Sequence, residues 1–574
     1  MAALLVLLLL LPCAGIGALY LAPARLAGPV GTLTGAAVFL VSLLVLPWFD
    51  FAHPGRMQGQ VKAPWVSSIG LYFQFGIDGI ALPLLLLTTL LTLLCLFYAQ
   101  KTTRADSSGR SFTALLLLLA VGMIGTFLAE NLLLFFLFFE IVLIPMWALI
   151  HQWGSGTKTG VVKDGIPARR AANKFILYTL LGSALMLLGF VVIYSHTHTF
   201  DMVTLARQHG SGLTSGVQAG AFLLVGLGFA IKTPMWPLHT WLPDAHTSAP
   251  TVGSVLLAGV LLKMGTYGFI RIGVGLLPLG LHRYGLALAS FGAVGIVYGA
   301  LACLAQLRRG GDLKRLVAYS SVGHMGFVLV GIGSMTRVGV DGALYASVAH
   351  GLITGLLFFL AGGIKERLGS TDLYAVGRGL YARARRYGVL IAVAAMASLG
   401  LPGLAGFWGE LYVLIGAYRP AHGLSAAGFR LLMAVAGLGM VLTAAYLLML
   451  VRRVCMAVPN VALAGVPAEA ELDETGHPAL ETPVPPAITP AEEARAPEGD
   501  VAEPDGTVHS SLEVPVDADE DGPRPPDPAF ADLTGRELGA WLPLGVLTVA
   551  AGTWPALILA VADPAVRVVF GGAQ

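Results

Sequence analysis

Four charged side chains lie inside long apolar stretches of this sequence: Glu140, Lys232, Lys263 and Glu410. A charge at the centre of a bilayer costs roughly 2.5–3.5 kcal/mol even on a lenient insertion scale. Such groups therefore face one another, or water, inside a helix bundle, and they are typical of proton pathways. We expect the four residues to form an interior site that binds and transfers protons.

The choice of lysine over arginine supports proton chemistry. Only nine of the 35 basic residues are lysine, yet Lys232 and Lys263 both lie deep in the apolar stretches, where we expect no arginine. Arginine stays charged in proteins, whereas a buried lysine can lose its proton. A site that must gain and lose a proton therefore requires lysine. The alternative is a static ion pair between Glu140 and Lys232 that only fixes helix packing.

Two histidines lie between Lys263 and Glu410 in the chain. His324 is in "YSSVGHMGFVLVG" and His350 is in "YASVAHGLITGLLFF". Histidine titrates near neutral pH, which suits a proton relay. Their positions on consecutive predicted helices favour that role, although each could instead be a hydrogen-bonded histidine of the core.

The elements that position these residues are predicted to be membrane-spanning helices. Of the 574 residues, 56% are hydrophobic and 12% are charged, whereas soluble domains carry about 25% charged residues. Apolar runs of roughly 20 residues, the length that crosses a bilayer, recur along the chain. We predict an all-α integral membrane protein with fourteen spans, near residues 3–22, 28–48, 78–98, 111–129, 131–150, 172–194, 218–236, 251–274, 284–306, 316–333, 341–363, 387–418, 428–452 and 540–564.

The distribution of basic residues predicts the orientation. The odd-numbered short loops hold 21 lysines and arginines, whereas the even-numbered loops and the C-terminal tail hold 9. The 21 do not include Arg495, Arg524 and Arg536 of the long acidic stretch and its end. Basic residues are in excess in cytoplasmic loops. We therefore expect the odd-numbered loops in the cytoplasm and both termini on the outer side.

Helix breakers accompany two of the charged residues. Pro234 and Pro237 follow Lys232, and the pair Pro402–Gly403 precedes Glu410. Proline removes a backbone donor and interrupts a helix, so helices seven and twelve are predicted to be broken. The breaks are five helices apart, which is an odd number. Helices 4–8 and 9–13 should therefore form two inverted repeats, as in many transporters.

This organisation predicts five regions. Helices 1–3 occupy residues 1–110, the first half-channel 111–275 and the second half-channel 276–455. An acidic, proline-rich loop occupies 456–535, and the last helix lies in 536–574. Residues 466–530 hold 17 acidic and two basic residues, a composition typical of disorder. We expect a disordered cytoplasmic loop there, with a docking site as the alternative.

Other kinds of site are not indicated. The four cysteines are single residues in apolar surroundings, and we find neither a GxGxxG nor a GxxxxGK[ST] motif. The net charge of +2 gives no sign of nucleic-acid binding. His239, Asp244 and His246 in "HTWLPDAH" suggest a metal, but a third convincing ligand on the same face is lacking. We predict no metal and no cofactor on this chain.

Several long segments resemble the antiporter-like membrane subunits of respiratory complex I. The resemblance is carried by "FAIKTPMWPLHTWLPDAHTSAPTVGSVLLAGVLLKMGTYGFIR" and "DLKRLVAYSSVGHMGFVLVGIG", with support from "FGIDGIALPLLLLTTLLT" and "LFFEIVLIPMW". It extends over about residues 70–455 and 530–565. Within the family, glutamate at position 410 in "SLGLPGLAGFWGE" is similar to the M type, whereas the L and N types usually have lysine. The acidic insertion departs from the short connection usual in the family.

The resemblance implies a proton-translocating subunit of NADH-quinone oxidoreductase in the bacterial plasma membrane. Glu140 and Lys232 would be the coupled pair, Lys263 the connecting lysine and Glu410 the terminal site, with His324 and His350 as the relay between them. NADH, FMN, iron–sulfur clusters and quinone would be bound by partner subunits, among them L-like and N-like membrane subunits.

Three other functions are compatible with the sequence. The chain could be a subunit of a multisubunit Na+/H+ antiporter, although Glu410 argues against it. It could belong to a membrane-bound hydrogenase or formate-type complex with a related pumping subunit. It could also be a membrane scaffold whose charges merely pair.

Overall fold

The computed structural model describes residues 1–100, 106–155, 167–208, 210–377, 379–456 and 530–571. The predicted acidic loop at 466–530 lies almost entirely outside these residues. The N-terminal region contains α1 (Ala2–Leu21), α2 (Ala27–Val45), the strands β1 (Gln58–Val66) and β2 (Leu71–Ile77), and α3 (Ala81–Ala99).

The described residues of the predicted first half-channel include the α-helices α4 (Ser107–Leu128), α5 (Leu132–Ile141), α6 (Leu143–Trp153), α7 (Ala168–Thr197), α8 (Met202–Gln208), α9 (Ser215–Lys232), α10 (Trp241–Ser248), α11 (Thr251–Leu256) and α12 (Leu262–Gly268). The predicted second half contains α13 (Pro278–Arg308), α14 (Leu313–Gly333), α15 (Arg337–Leu368), α16 (Leu373–Val376), α17 (Leu380–Arg383), α18 (Arg385–Ser398), α19 (Ala405–Tyr418) and α20 (Ala426–Val451). The described residues from 530 onward contain α21 (Gly535–Thr553) and α22 (Ala556–Val569).

The helices have the length and apolar character of membrane spans. In the parts of the chain that the structure describes, twelve helical segments could cross a membrane, and the pair α21–α22 raises the number to thirteen. Two of the twelve join shorter helices: Leu132–Trp153 combines α5 and α6, and Thr251–Val274 includes α11 and α12. The halves of predicted helix twelve, α18 and α19, contain 14 residues each and are individually too short. The prediction of an all-α integral membrane protein is confirmed.

Both predicted helix breaks are present. Helix α9 ends at Lys232 and α10 begins at Trp241, with Pro234 and Pro237 between them. Residues 399–404 separate α18 from α19, and this turn contains Gly400 with φ +78° and Gly403 with φ +89°. Glycine adopts a positive φ without the steric cost that other residues incur. The chain can therefore reverse locally just before the helix that carries Glu410.

Three spans are less regular than predicted. The sequence predicts a continuous helix five over 131–150, but α5 ends at Ile141 and α6 begins at Leu143. The predicted last span over 540–564 is instead two helices, bent by 65° at Trp554–Pro555. Helix eight contains two π-helical segments, Leu257–Leu261 and Phe269–Val274, one on each side of α12. Local π-helix is frequent at functional sites.

The β1–β2 hairpin was not predicted. The strands pair antiparallel, with Val61 opposite Phe75 and Ala63 opposite Phe73. The ring of Trp65 stacks on Phe73 with a centroid distance of 4.4 Å. Most of β1 is exposed, so its sequence lacks the alternation of buried and exposed residues that identifies a strand.

Candidate proton path

Lys232 is the last residue of α9 and is 1% exposed. Its Nζ lies 4.7 Å from the centroid of the Phe139 ring, and it has no hydrogen-bond partner among the described residues. Glycine at 265 permits this position, because a Cβ there would lie 2.4 Å from Thr233 Oγ1 and 3.1 Å from Lys232 Cβ. The C-terminal end of α9 is thereby packed directly against α12, the helix that carries Lys263.

Glu140 lies in the last turn of α5, just before the interruption at Val142. Its carboxyl group faces Ser183 and interacts electrostatically with Lys232. The structure contains no ion pair between Glu140 and Lys232 within 4.0 Å, and Oε1 of Glu140 is buried without a hydrogen-bond donor among the described residues. Glu140 and Lys232 are therefore neighbours that do not form a direct ion pair. A static ion pair that fixes helix packing would require such direct contact.

Lys263 is completely buried on α12. Its Nζ donates a hydrogen bond to the carbonyl oxygen of Ala258 at 2.5 Å and lies 2.5 Å from His350 Nδ1. Ala258 belongs to the π-helical segment, which places its carbonyl five residues before the lysine. Lysine and histidine thus share a direct contact, with no carboxylate of the described residues at ion-pair distance.

The contacts continue from His350 to Glu410. The rings of His350 and His324 are 5.6 Å apart between centroids. His324 Nε2 lies 3.0 Å from Ser398 Oγ, and His324 Nδ1 lies 3.5 Å from Glu410 Oε1. The sequence indicated the two histidines and the glutamate. It did not indicate Ser398, because a serine in an apolar helix is too common to stand out.

A small cavity lies beside the two histidines and Glu410. It has a volume of about 20 Å³ and is lined by both histidines, Ser398 and Glu410. A cavity of roughly 10–15 Å³ or more can hold one water molecule if polar groups surround it. Glu410 Oε2 and His350 Nε2 are both buried without partners among the described residues. The cavity can therefore hold a water that joins the groups whose direct distances are too long for a hydrogen bond.

The six residues fall into two groups. Lys263, His350, His324 and Glu410 form a continuous series of neighbours, as expected for a relay. Glu140 and Lys232 form a separate pair that meets the series where α9 packs on α12. Groups with two protonation states at such spacing can pass protons through one another and through intervening water.

One arginine is buried in helix eight, so the expectation that the apolar stretches lack arginine is wrong there. Arg271 is 7% exposed and lies in the π-helical segment Phe269–Val274. Its Nη2 donates to Asp78 Oδ1 at 2.6 Å, and its Nε donates to the hydroxyl of Tyr267. Because arginine stays charged in proteins, this contact is a fixed ion pair that holds helix eight to the start of α3.

The "HTWLPDAH" cluster has a different organisation. Asp244 accepts hydrogen bonds from Lys174 at 2.7 Å and from Arg315 at 3.0 Å. The ring of His239 packs against Tyr298, and the ring of His246 stacks on Phe358. Among the described residues, no three His, Cys, Asp or Glu side chains are arranged to hold a metal ion.

Comparison with known proteins identifies the family. The family model described as the transmembrane region of NADH:quinone oxidoreductase and Mrp antiporters matches residues 129–433, a segment that contains all six residues of the path. The chain belongs to this family. It is 42% identical over 433 residues to NADH-quinone oxidoreductase subunit M of Rhodobacter capsulatus, covering 74% of this chain and 79% of that protein. It is 40% identical over 453 residues to NAD(P)H-quinone oxidoreductase chain 4 of a Synechococcus strain, covering 78% and 81%.

Solved structures share the fold over nearly the full length. A chain of respiratory complex I from Thermus thermophilus with bound NADH aligns with a TM-score of 0.74 and 28% identity, covering 99% of both chains. A chain of the Mrp complex from Dietzia sp. aligns with a TM-score of 0.75 and 22% identity, covering 99% of this chain and 97% of that one. The chain is thus a multi-pass membrane protein of the antiporter-like family, as the resemblance implied.

Proposed function

We propose that the chain is a proton-translocating membrane subunit of NADH-quinone oxidoreductase, with NADH oxidation and quinone reduction taking place in partner subunits. The observation that carries this proposal is the series Lys263, His350, His324 and Glu410, whose members are neighbours. All but the partly buried His324 are buried. The relatives named subunit M support the assignment to this complex. The Mrp complex shares the fold, so the antiporter is the alternative to be tested.

The Glu140–Lys232 pair controls when a proton is released into the series, and we call this release the control step. An approaching carboxylate favours the charged amine, whereas burial without a nearby carboxylate favours the neutral amine. A conformational change in a neighbouring subunit that moves Glu140 away from Lys232 would therefore release a proton from Lys232. Because these described residues make no direct ion pair, the carboxyl group can move relative to Lys232 without breaking one.

The released proton then follows the series. Lys263 accepts it and passes it to His350, with which it shares a 2.5 Å contact. His324 receives it next and transfers it to Glu410, and water bridges the longer gaps. Glu410 finally releases the proton toward the outer side. No redox group is needed on this chain, because the driving energy comes from the subunits that hold NADH, FMN, iron–sulfur clusters and quinone.

The orientation and partners follow from the same proposal. Both termini lie on the outer side of a bacterial plasma membrane, and the loop at 466–530 is cytoplasmic, in accordance with the 21 to 9 distribution of basic residues. The chain assembles with L-like and N-like membrane subunits and with smaller membrane subunits. Its division into regions 1–110, 111–275, 276–455, 456–535 and 536–574 then separates the supporting helices from two inverted half-channels.

Glu140→Gln tests the control step. The amide keeps the size and polarity of the carboxyl group but cannot carry a negative charge. We expect the complex to assemble with normal subunit content and to lose NADH-driven proton pumping, measured as acidification of inverted vesicles. Normal pumping by an assembled Glu140→Gln complex would contradict the role given to this residue.

A further inference from the structure

A second group of carboxylates lies at the start of α15, at the end that the proposed orientation places on the outer side. Asp341 is on this helix, and Asp563 is on α22. The side chain of Asp341 is 2% exposed and that of Asp563 is 32% exposed. Oδ1 of Asp341 has no hydrogen-bond partner among the described residues, although it is buried.

The two carboxyl groups face each other within hydrogen-bond reach. Arg337 donates from Nε and Nη2 to both oxygens of Asp563, whereas its nearest approach to Asp341 is 4.0 Å. The only other charged neighbour among the described residues is Arg567, which is exposed to solvent. Arg337 therefore compensates mainly Asp563. When two carboxyl groups are adjacent and only one of them has a positive charge beside it, two negative charges repel. One proton shared between the two groups removes that repulsion.

The arrangement of α15 connects this pair to Glu410. Arg337, Asp341 and Tyr345 are spaced by four residues and so share one face of the helix. The hydroxyl of Tyr345 donates to the carbonyl of Ala551 at 2.6 Å, and Nε1 of Trp408 donates to the carbonyl of Gly552 at 2.7 Å. Side chains from the Asp341 face and from the Glu410 helix therefore meet at the same end of α21.

The neighbouring glycine shows how close the helices are. A Cβ at Gly342 would lie 2.7 Å from the backbone nitrogen of Val413 and 3.0 Å from the carbonyl oxygen of Gly409. Asp341 thus belongs to the turn of α15 that packs directly on α19. His350, which lines the cavity beside Glu410, is nine residues later on α15, roughly 13 Å further along the axis.

We propose that Asp341 and Asp563 hold one shared proton and form the release site through which protons from Glu410 reach the outer side. This inference rests on the proposed function. The O–H bond of Glu410 breaks, its proton passes through water to the pair, and the proton held by the pair leaves to bulk water from the more exposed Asp563. One proton enters the pair for each one that leaves, and no electron moves.

The test compares Asp341→Asn with Asp563→Asn in the assembled complex, reconstituted in vesicles. Removing a positioned proton-transfer group slows the transfer step by about 10²–10⁴-fold. We therefore expect each substitution to lower NADH-driven proton release by about tenfold or more. We also expect the infrared band of a protonated carboxyl group, present in the wild type, to disappear in both variants.

A purely structural role would give a different pattern. The amide introduced by Asp341→Asn can still donate a hydrogen bond to Asp563, so a clasp between α15 and α22 would survive that substitution. Asp563→Asn would instead weaken the bonds from Arg337 and lower the stability of the complex. Normal proton release by the Asp341→Asn complex, or an unchanged carboxyl band, would overturn the inference.

Glu410→Gln in the same assay separates this inference from the function on which it rests. If Glu410→Gln blocks pumping while Asp341→Asn pumps normally, the release site is wrong and the proposed function stands. If Glu410→Gln pumps normally, both proposals are overturned.

Discussion

At the scale of single residues, the cost of burying charge made the main part of the path predictable. A charged group in an apolar span is costly to bury and is usually paired or functional. For this reason the sequence alone indicates Glu140, Lys232, Lys263 and Glu410. The Lys263–His350 contact could not be predicted, because it requires the register between two helices far apart in sequence. Asp341 was also missed, since it lies near a predicted helix end, where a carboxylate has a small cost.

Lys263→Arg tests whether this residue must lose a proton. Arginine keeps the positive charge but is not deprotonated in proteins. We expect the complex to assemble and to lose NADH-driven proton pumping in vesicles. Lys174→Arg is the matched control, because Lys174 pairs with Asp244, and arginine can keep that pair. Equal pumping by the two variants would show that Lys263 acts only as a fixed charge.

Glu130 lies in the turn between α4 and α5. We expect its carboxyl group to make the stability of the folded protein depend on pH. Burial raises the pKa of its carboxyl group to about 7, even though Gln60 and Gln74 donate hydrogen bonds to it and Arg271 is near. The folded protein therefore binds a proton that the unfolded chain has lost between about pH 4.5 and pH 7. Stability from this group is present at low pH and is lost as the pH rises through that range.

Glu130→Gln should remove this dependence. We expect the melting temperature of the wild type to decline relative to the variant between about pH 5 and pH 8, with a change in stability of up to roughly 3 kcal/mol. Thermal unfolding of the purified complex, followed through this subunit, measures the difference. A constant difference between the two proteins across that range would contradict the assignment.

At the scale of elements, the breaks were predictable where a single residue type causes them. Proline and positive-φ glycine interrupt helices seven and twelve for reasons visible in the sequence. No residue type in the sequence signals the π-helical segments of helix eight. The bend between α21 and α22 occurs at Trp554–Pro555, where a proline is present but the apolar run continues across it.

Gly265→Ala tests the packing of α9 on α12. The added Cβ would lie 2.4 Å from Thr233 Oγ1, and overpacking of this kind typically costs about 1–3 kcal/mol. We expect a lower melting temperature and reduced proton pumping, because Lys232 is displaced. Gly437→Ala on α20 is the matched control, since a Cβ there meets nothing within 4 Å. A Gly265→Ala complex as stable and as active as this control would show that the close approach is unimportant.

At the scale of the whole molecule, hydropathy and family resemblance defined the class of protein. The described helices reproduce the long apolar spans, and the family match covers residues 129–433. That helices 4–8 and 9–13 form two inverted halves stays a prediction, because it was inferred from the positions of the two breaks. The hairpin near the N-terminus was not foreseen, because its first strand is mostly exposed and its second mostly buried, so neither alternates.

The central claim is that NADH oxidation drives proton transfer through this chain. The most direct test measures NADH-driven lumen acidification in inverted native membranes containing wild-type, Lys232→Ala or Lys62→Ala complexes, each checked for assembly. Lys62 is the control because it pairs with Asp201 near the β1–β2 hairpin, apart from the path. We predict that acidification is lost in Lys232→Ala and retained in Lys62→Ala. Unchanged acidification in assembled Lys232→Ala, together with proton movement after a sodium pulse only in the wild type, would contradict this claim and indicate a Na+/H+ antiporter.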